Sequence, residues 1–178
     1  MLASKAGFSE LAKAIGSDIG AAVRARRSEY PNEKEEAVVV ALLSDLLFRR
    51  PAIKLAEARA KYGQAATFVY QINWSSPLLP ELGACHSIGV SLFFRNEERV
   101  ACARGDVSAS SLARRMANAL ASFMRDGDPN CEGLPYWGAY SPDKRQVMLF
   151  EEPPVVEVDP QGALRQAWDE IQPDFPLV

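Results

Sequence analysis

The sequence predicts an α/β fold that is mostly helical, with a few strands and an incomplete central sheet. Several segments of the 178 residues place apolar residues three or four positions apart, which is typical of helices. Ala65–Trp74 is the one run rich enough in aromatic and β-branched residues to predict a good strand. The helices present more apolar surface than so few strands can cover. Residues 1–178 are therefore predicted to be a single piece that lacks one layer of its fold.

Residues 1–62 are predicted to be helical. From Phe8 to Val23, apolar residues recur at helical spacing in a stripe that Gly16 and Gly20 interrupt.

A second helix is predicted after the break at Tyr30–Asn32. Asn32 is a suitable cap for the acidic turn that follows, and the helix is apolar on most faces as far as Phe48. Pro51 is predicted to start another helix, because proline is favoured in a first turn. Gly63 is predicted to end that helix.

Residues 65–94 are predicted to contain the strand and a functional loop. After Ala65–Trp74, the segment Leu78–Gly89 is predicted to be a loop that carries His86. Val90–Phe94 is short and apolar, and its pattern fits either a strand or a buried turn.

Residues 108–178 are predicted to form a helix, a hairpin and a final helix. Ser108–Arg125 is amphipathic, and its apolar stripe is Leu112, Met116, Ala119, Leu120, Phe123 and Met124. Short strands are predicted at Gln146–Phe150 and Val155–Val158, followed by a helix from Gly162 to Ile171.

Charge and hydropathy exclude several classes of partner. The net charge of −3 and the pI of about 5.3 give no basis for binding nucleic acid or an anionic membrane. No apolar run approaches the length that crosses a bilayer, and the N-terminal residues do not resemble a secretory signal. The compartment is therefore left undefined.

The cysteines do not predict a metal site. Cys85, Cys102 and Cys131 lack ligand spacing, and the chain has only one histidine, so no metal and no cofactor is predicted. In an oxidising compartment, either a Cys85–Cys102 or a Cys102–Cys131 disulfide is compatible with the sequence.

His86 is the candidate catalytic residue. It is the only histidine in the chain, and histidine is the side chain that best transfers protons near neutral pH. Gly83 and Gly89 flank it and allow the backbone unusual conformations. A surface or capping histidine is the alternative that these neighbours leave open.

Four segments together resemble the type B carboxylesterases, the serine-hydrolase family that includes the p-nitrobenzyl esterases and cholinesterase-like enzymes. Asp45–Ala52 is similar to the helix in which Asp precedes Phe-x-x-Pro-Ala, and Phe68–Trp74 to the strand Tyr-x-Phe-Asp/Asn-Trp. Gly83–His86 is similar to the Gly-Ala-x-His that contains the catalytic histidine. Ser122–Asn130 with Leu134–Tyr140 is similar to Phe-Ala-x-x-Gly-Asp-Pro-Asn…Pro-x-Trp-Pro-x-Tyr.

The resemblance implies that the chain is the C-terminal part of an α/β-hydrolase fold. In that family a serine in a Gly-x-Ser-x-Gly turn attacks an ester, and the histidine transfers the proton. No Gly-x-Ser-x-Gly occurs in these 178 residues, and neither does a glycine-rich oxyanion segment. Glu10 and Asp18 are the only early carboxylates, and no motif assigns the acid to either. Gly89 and Ser91 replace the Glu and Pro that usually follow the histidine.

The resemblance predicts a carboxylic-ester hydrolase whose substrate is a small-molecule ester and whose only catalytic residue in this chain is His86. A second hypothesis is a non-catalytic remnant that uses its apolar faces to bind an N-terminal esterase fragment or a second copy of itself. A third is a chain that hydrolyses esters with an unrecognised nucleophile.

Overall fold

The computed structural model describes residues 7–15 and 18–171, and they divide into two compact units. The first consists of the described residues within Met1–Glu57 and Gln161–Val178, and the second is Ala58–Pro160. That these units belong to one esterase domain stays a prediction.

The described part of the first unit contains helices and their connections but no strand. Its helices are α1 (Gly7–Ile15), α2 (Gly20–Glu29), α3 (Glu35–Ser44), α4 (Arg50–Tyr62, whose last turns belong to the second unit) and α7 (Gly162–Glu170). The final helix is confirmed. The predicted interruption at Gly20 coincides with the start of α2, whereas Gly16 lies outside the described residues.

The start of α3 differs from the prediction. The residue before its first turn is Lys34, not Asn32, and no side chain caps it. The carboxylate of Glu33 instead pairs with the guanidinium of Arg26, with an N–O distance of 2.6 Å. Glu33 was predicted to lie in the first turn of α3, but it precedes that helix and pairs with a residue of α2.

Pro51 lies in the first turn of α4, as was predicted, but the chain directly before it is also helical. Between α3 and α4 lies a π-helical segment, Asp45–Arg49, in which the Arg50 amide donates to the Asp45 carbonyl. A proline inside an α-helix removes one hydrogen bond and its ring collides with the carbonyl four residues earlier. The wider π turn directly before Pro51 changes this register, so the helix continues without a break.

The core of the first unit lies between α1, α2, α3 and α7. Its buried residues are Leu11, Ile15, Ile19, Ala22, Val38, Leu42, Leu46, Leu164, Ala167, Trp168 and Ile171. Asp45 is buried at its edge, where the carboxylate accepts from Arg49 Nε at 2.6 Å and from Trp168 Nε1 at 3.0 Å. These bonds compensate for the cost of burying a charge.

The second unit contains the sheet. Its strands are β1 (Tyr70–Ile72), β2 (Gln146–Phe150) and β3 (Val155–Val158), in the order β1-β2-β3. β1 and β2 are parallel and pair Tyr70 with Met148, whereas β2 and β3 form the predicted antiparallel hairpin. The strand prediction at 65–74 was too long, because only its central residues form a ladder.

Two helices cover this sheet. Val90–Phe93, predicted with Phe94 to be a strand or a buried turn, is helical. It belongs to α5, which spans Ile88–Phe93 and begins within the predicted loop. The second helix, α6, spans Val107–Asp126, which confirms the predicted amphipathic helix. Their core contains Trp74, Ile88, Leu92, Cys102, Ala103, Ala109, Leu112, Ala113, Met116, Trp137, Met148 and Phe150.

The buried stripe of α6 is shifted towards its N-terminus. Leu112, Met116 and Ala119 are buried as predicted, but Phe123 and Met124 are exposed. The small residues Ala109 and Ala113 take their place in the core. Small side chains allow a helix to pack closely on its neighbours, a feature that the apolar periodicity does not reveal.

Several apolar side chains of the first unit face solvent. Val40, Leu47, Phe48 and Leu55 are each more than half exposed. Within the described residues, no helix is both long and apolar enough to cross a membrane.

Asp106 is expected to stabilise the second unit as the cap of α6. Its carboxylate accepts from the Ala109 amide at 2.8 Å and from the Ser108 hydroxyl, which in turn accepts from Trp74 Nε1 at 2.9 Å. Asp106→Ala should lower the free energy of unfolding in urea by about 1–2 kcal/mol, while Asp106→Asn should retain most of it. Asp126→Ala, at the other end of the helix, is the matched control and should change it by less than about 0.5 kcal/mol. Equal losses at both ends would contradict the capping role.

Asp45 is expected to be the most sensitive charged residue of the first unit. Asp45→Ala leaves the Trp168 indole N–H without its acceptor, so stability should fall by about 3 kcal/mol in urea unfolding. Lys54→Ala removes a solvent-exposed ion pair to Asp169 and should cost less than about 1 kcal/mol. If the two variants unfold at the same urea concentration, the buried contacts of Asp45 stabilise the protein no more than the exposed ion pair of Lys54 does.

Candidate active site

The candidate site is the loop of residues 73–87, which follows β1. Its start is fixed by Phe150 at the end of β2, because the carbonyl of Phe150 accepts from the amides of both Asn73 and Trp74 at 3.0 Å. β1 and β2 are parallel, so the loop leaves the sheet at the carboxyl edge of both strands. Ligands of α/β sheets bind at this edge.

Ser76 anchors the first part of the loop. Its side chain is buried, and its hydroxyl donates to the carbonyl of Cys102. The same oxygen accepts from the amides of Leu78 and Leu79, at 3.2 and 3.0 Å. One serine thus fixes the chain direction after β1. In the amino-acid sequence, Ser76 followed by Pro77 signals only a turn, and no pattern there predicts the contact with Cys102.

His86 lies in the second part of the loop, between two residues in unusual backbone conformations. Its side chain is exposed. Gly83 has φ 55° and ψ −143°, a region that only glycine adopts readily, and Ser87 is left-handed at φ 68°. These two residues turn the chain before and after the histidine and place it at the surface.

Cys85 is not a suitable nucleophile for ester hydrolysis at neutral pH. It is half-buried, and its Sγ lies 3.7 Å from the Sγ of Cys102. Burial, followed by the hydrogen bond to Cys102, raises the pKa of the Cys85 thiol above its usual value. Nucleophilic attack requires the thiolate, and this shift makes the thiolate of Cys85 scarcer at neutral pH than that of an ordinary cysteine.

Gly89 lies within α5, where the helix passes close to β1. A β-carbon at this position would overlap with the Cδ1 methyl of Ile72. A larger residue at 89 therefore requires Ile72 to move. The family resemblance leads one to expect glutamate at this position. With Ile72 placed as it is here, only glycine fits without a clash.

The two early carboxylates, Glu10 and Asp18, lie in the first helical segment and at the start of the second. Glu10 is exposed on α1, and Asp18 accepts from the amide of Gly20 at 2.7 Å at the start of α2. Neither contact assigns a catalytic acid. Among the aromatic residues of the motifs that resemble the family, Trp74, Trp137 and Tyr140 are buried, whereas Tyr136 is 80% exposed.

The amino-acid sequence matches a known family. The profile of the carboxylesterase family matches residues 9–168. The para-nitrobenzyl esterase of Bacillus subtilis is 29% identical over 140 residues, which cover 77% of this chain and 28% of that protein. The acylcarnitine hydrolase of Mus musculus is 26% identical over 164 residues, covering 82% of this chain and 27% of that protein.

The fold matches solved esterase structures. A carboxylesterase of Geobacillus stearothermophilus superposes with a TM-score of 0.76 at 25% identity, covering 90% of this chain and 34% of that one. A thermophilic p-nitrobenzyl esterase superposes with a TM-score of 0.68 at 26% identity, covering 93% and 33%. These are α/β-hydrolases, so the predicted partial α/β-hydrolase fold is confirmed. This chain spans about a third or less of each relative.

The backbone at Gly83 is expected to control the stability of the histidine loop. A β-carbon there would meet no heavy atom within 4 Å, so any cost of Gly83→Ala is conformational. Its positive φ should make that cost about 1–3 kcal/mol in urea unfolding. Ser87→Gly is the matched control, because it relieves a left-handed residue and should be nearly neutral. A neutral Gly83→Ala would show that the loop relaxes without loss.

Proposed function

Because this chain belongs to the carboxylesterase family, we propose that it contributes the general base, His86, to a carboxylic-ester hydrolase. The observation that carries the proposal is the match over residues 9–168 combined with the position of His86, on an exposed loop at the carboxyl edge of β1 and β2. A proton-transferring histidine has to reach both a nucleophile and a leaving group, and an exposed loop position permits both contacts.

The reaction is proton transfer by His86 during acyl transfer from an ester. The imidazole removes the proton of a serine hydroxyl as the oxygen attacks the ester carbonyl, and it then returns the proton to the departing alcohol. Water attacks the acyl-serine in a second round with the same base. The Gly-x-Ser-x-Gly serine and the glycine-rich oxyanion segment do not occur in these 178 residues, so other polypeptide would supply them. The carboxylate that orients the imidazole is left unassigned.

The proposed substrate is a small-molecule carboxylic ester. The relatives are named for the hydrolysis of para-nitrobenzyl esters and of acylcarnitines, and a carboxylic ester bond is common to both.

Exposed apolar surface favours a second candidate function, an association module without activity of its own. Val40, Leu47 and Leu55 face solvent in the first unit, and in the second unit β1 pairs on one side only within the described sheet. Apolar patches and open strand edges are typical of surfaces that bind another polypeptide. The occupant is then an esterase segment or a second copy of this chain.

The role of His86 is tested in a chimeric enzyme. Residues 9–168 replace the matching third of the Bacillus subtilis para-nitrobenzyl esterase, and hydrolysis of p-nitrophenyl butyrate is measured. His86→Ala should lower kcat by at least about 1,000-fold, because a triad base is removed, and added imidazole should restore part of the loss. Ser87→Ala is the neighbouring control and should retain activity.

Two outcomes would overturn the proposal. One is a folded chimera in which His86→Ala keeps more than about a tenth of the activity. The other is turnover by the isolated chain well above that of equimolar free imidazole, since the nucleophile would then lie within these 178 residues. An inactive isolated chain that forms a stable oligomer, together with an inactive folded chimera, would establish the association module instead.

A further inference from the structure

Two of the three cysteines lie in contact next to the histidine loop. The Sγ atoms of Cys85 and Cys102 are 3.7 Å apart, and both thiols are free. A disulfide requires an S–S distance of about 2.05 Å, so the sulfurs need to approach by less than about 2 Å. Cys102 is only 3% exposed, whereas Cys85 is half-buried, so a reagent reaches the pair from the Cys85 side.

We propose that Cys85 and Cys102 are a redox modification site, which closes to a reversible disulfide and thereby fixes the loop that carries His86. The sequence left two pairings open, and the structure favours this one. Cys131 lies beyond the end of α6 in a partly buried position, where no sulfur contact joins it to another described cysteine. The proposal goes beyond ester hydrolysis and does not depend on it.

The oxidant is a peroxide. The Cys85 thiol first loses its proton, and the thiolate attacks one oxygen of hydrogen peroxide. The O–O bond breaks, Cys85 becomes a sulfenic acid, and the departing hydroxide takes up the released proton and leaves as water. The Cys102 sulfur then attacks the Cys85 sulfur, the S–O bond breaks, and the hydroxide takes up the proton of the Cys102 thiol and leaves as water. Two thiols and one hydrogen peroxide thus give one disulfide and two waters. A dithiol reverses the reaction by exchange.

The loop geometry explains why this bond would act on the histidine. The Ser76 hydroxyl already attaches the start of the loop to the carbonyl of Cys102. Cys85 attaches its end to the side chain of the same residue, and His86 is the next residue along the chain. A disulfide would make the second attachment covalent, so both ends of the loop would be fixed to Cys102.

The site is tested on the intact chain in a Cys131→Ser background, which prevents other pairings. After treatment with hydrogen peroxide at about pH 8.5, where thiolate is more abundant, the mass should fall by about 2 Da. Proteolysis without reductant should yield a peptide that joins Cys85 to Cys102, and dithiothreitol should restore the original mass. The Cys85→Ser variant in the same background is the matched control and should form no such peptide.

The effect on the loop is measured at the single histidine. The His86 Hε1 proton gives the only histidine signal of that type in the NMR spectrum, because the chain contains one histidine. Disulfide formation should shift this signal, slow amide exchange over residues 82–88 by about tenfold, and leave both unchanged in Cys85→Ser. Absence of the cross-linked peptide would overturn the site, and a cross-link that changes neither measurement would overturn its action on the loop.

Discussion

Phe150 is the residue on which the geometry of the second unit depends. Its ring is fully buried and meets the rings of Tyr70, Phe93 and Trp137 at centroid distances of 5.6–5.8 Å. Its carbonyl accepts two amides at the end of β1 and so sets where the strand stops and the histidine loop begins. The ring of Phe150 thus packs the sheet against α5, while its carbonyl holds the start of the histidine loop.

The loop itself is positioned by few, specific contacts. Ser76 directs its start, while Gly83 and Ser87 turn the backbone on either side of Cys85 and His86. At Gly83 and Ser87 the structure requires a particular backbone conformation rather than a packed side chain. The backbone can therefore orient the His86 side chain while that side chain stays exposed. This arrangement is compatible with a base that works with groups from polypeptide outside the present sequence.

The first unit shows how a local defect in a helix is accommodated. The π turn at Asp45–Arg49 changes the register before Pro51, and it places Asp45 against Trp168 from the other end of the chain. The same five residues thus permit the proline and form a buried polar contact across a separation of 123 residues. A buried carboxylate at this point is tolerated only because both oxygens have donors.

The sequence alone determined the family, the hairpin at Gln146–Val158 and the helix α6, because these rest on specific motifs and regular apolar periodicity. It identified His86 as the candidate base through the family resemblance, and that role stays a prediction. Only the tertiary structure decided that Val90–Phe93 is helical, since a short apolar run fits several conformations. It likewise decided that Cys85 meets Cys102, because contacts between distant residues depend on packing that periodicity does not encode.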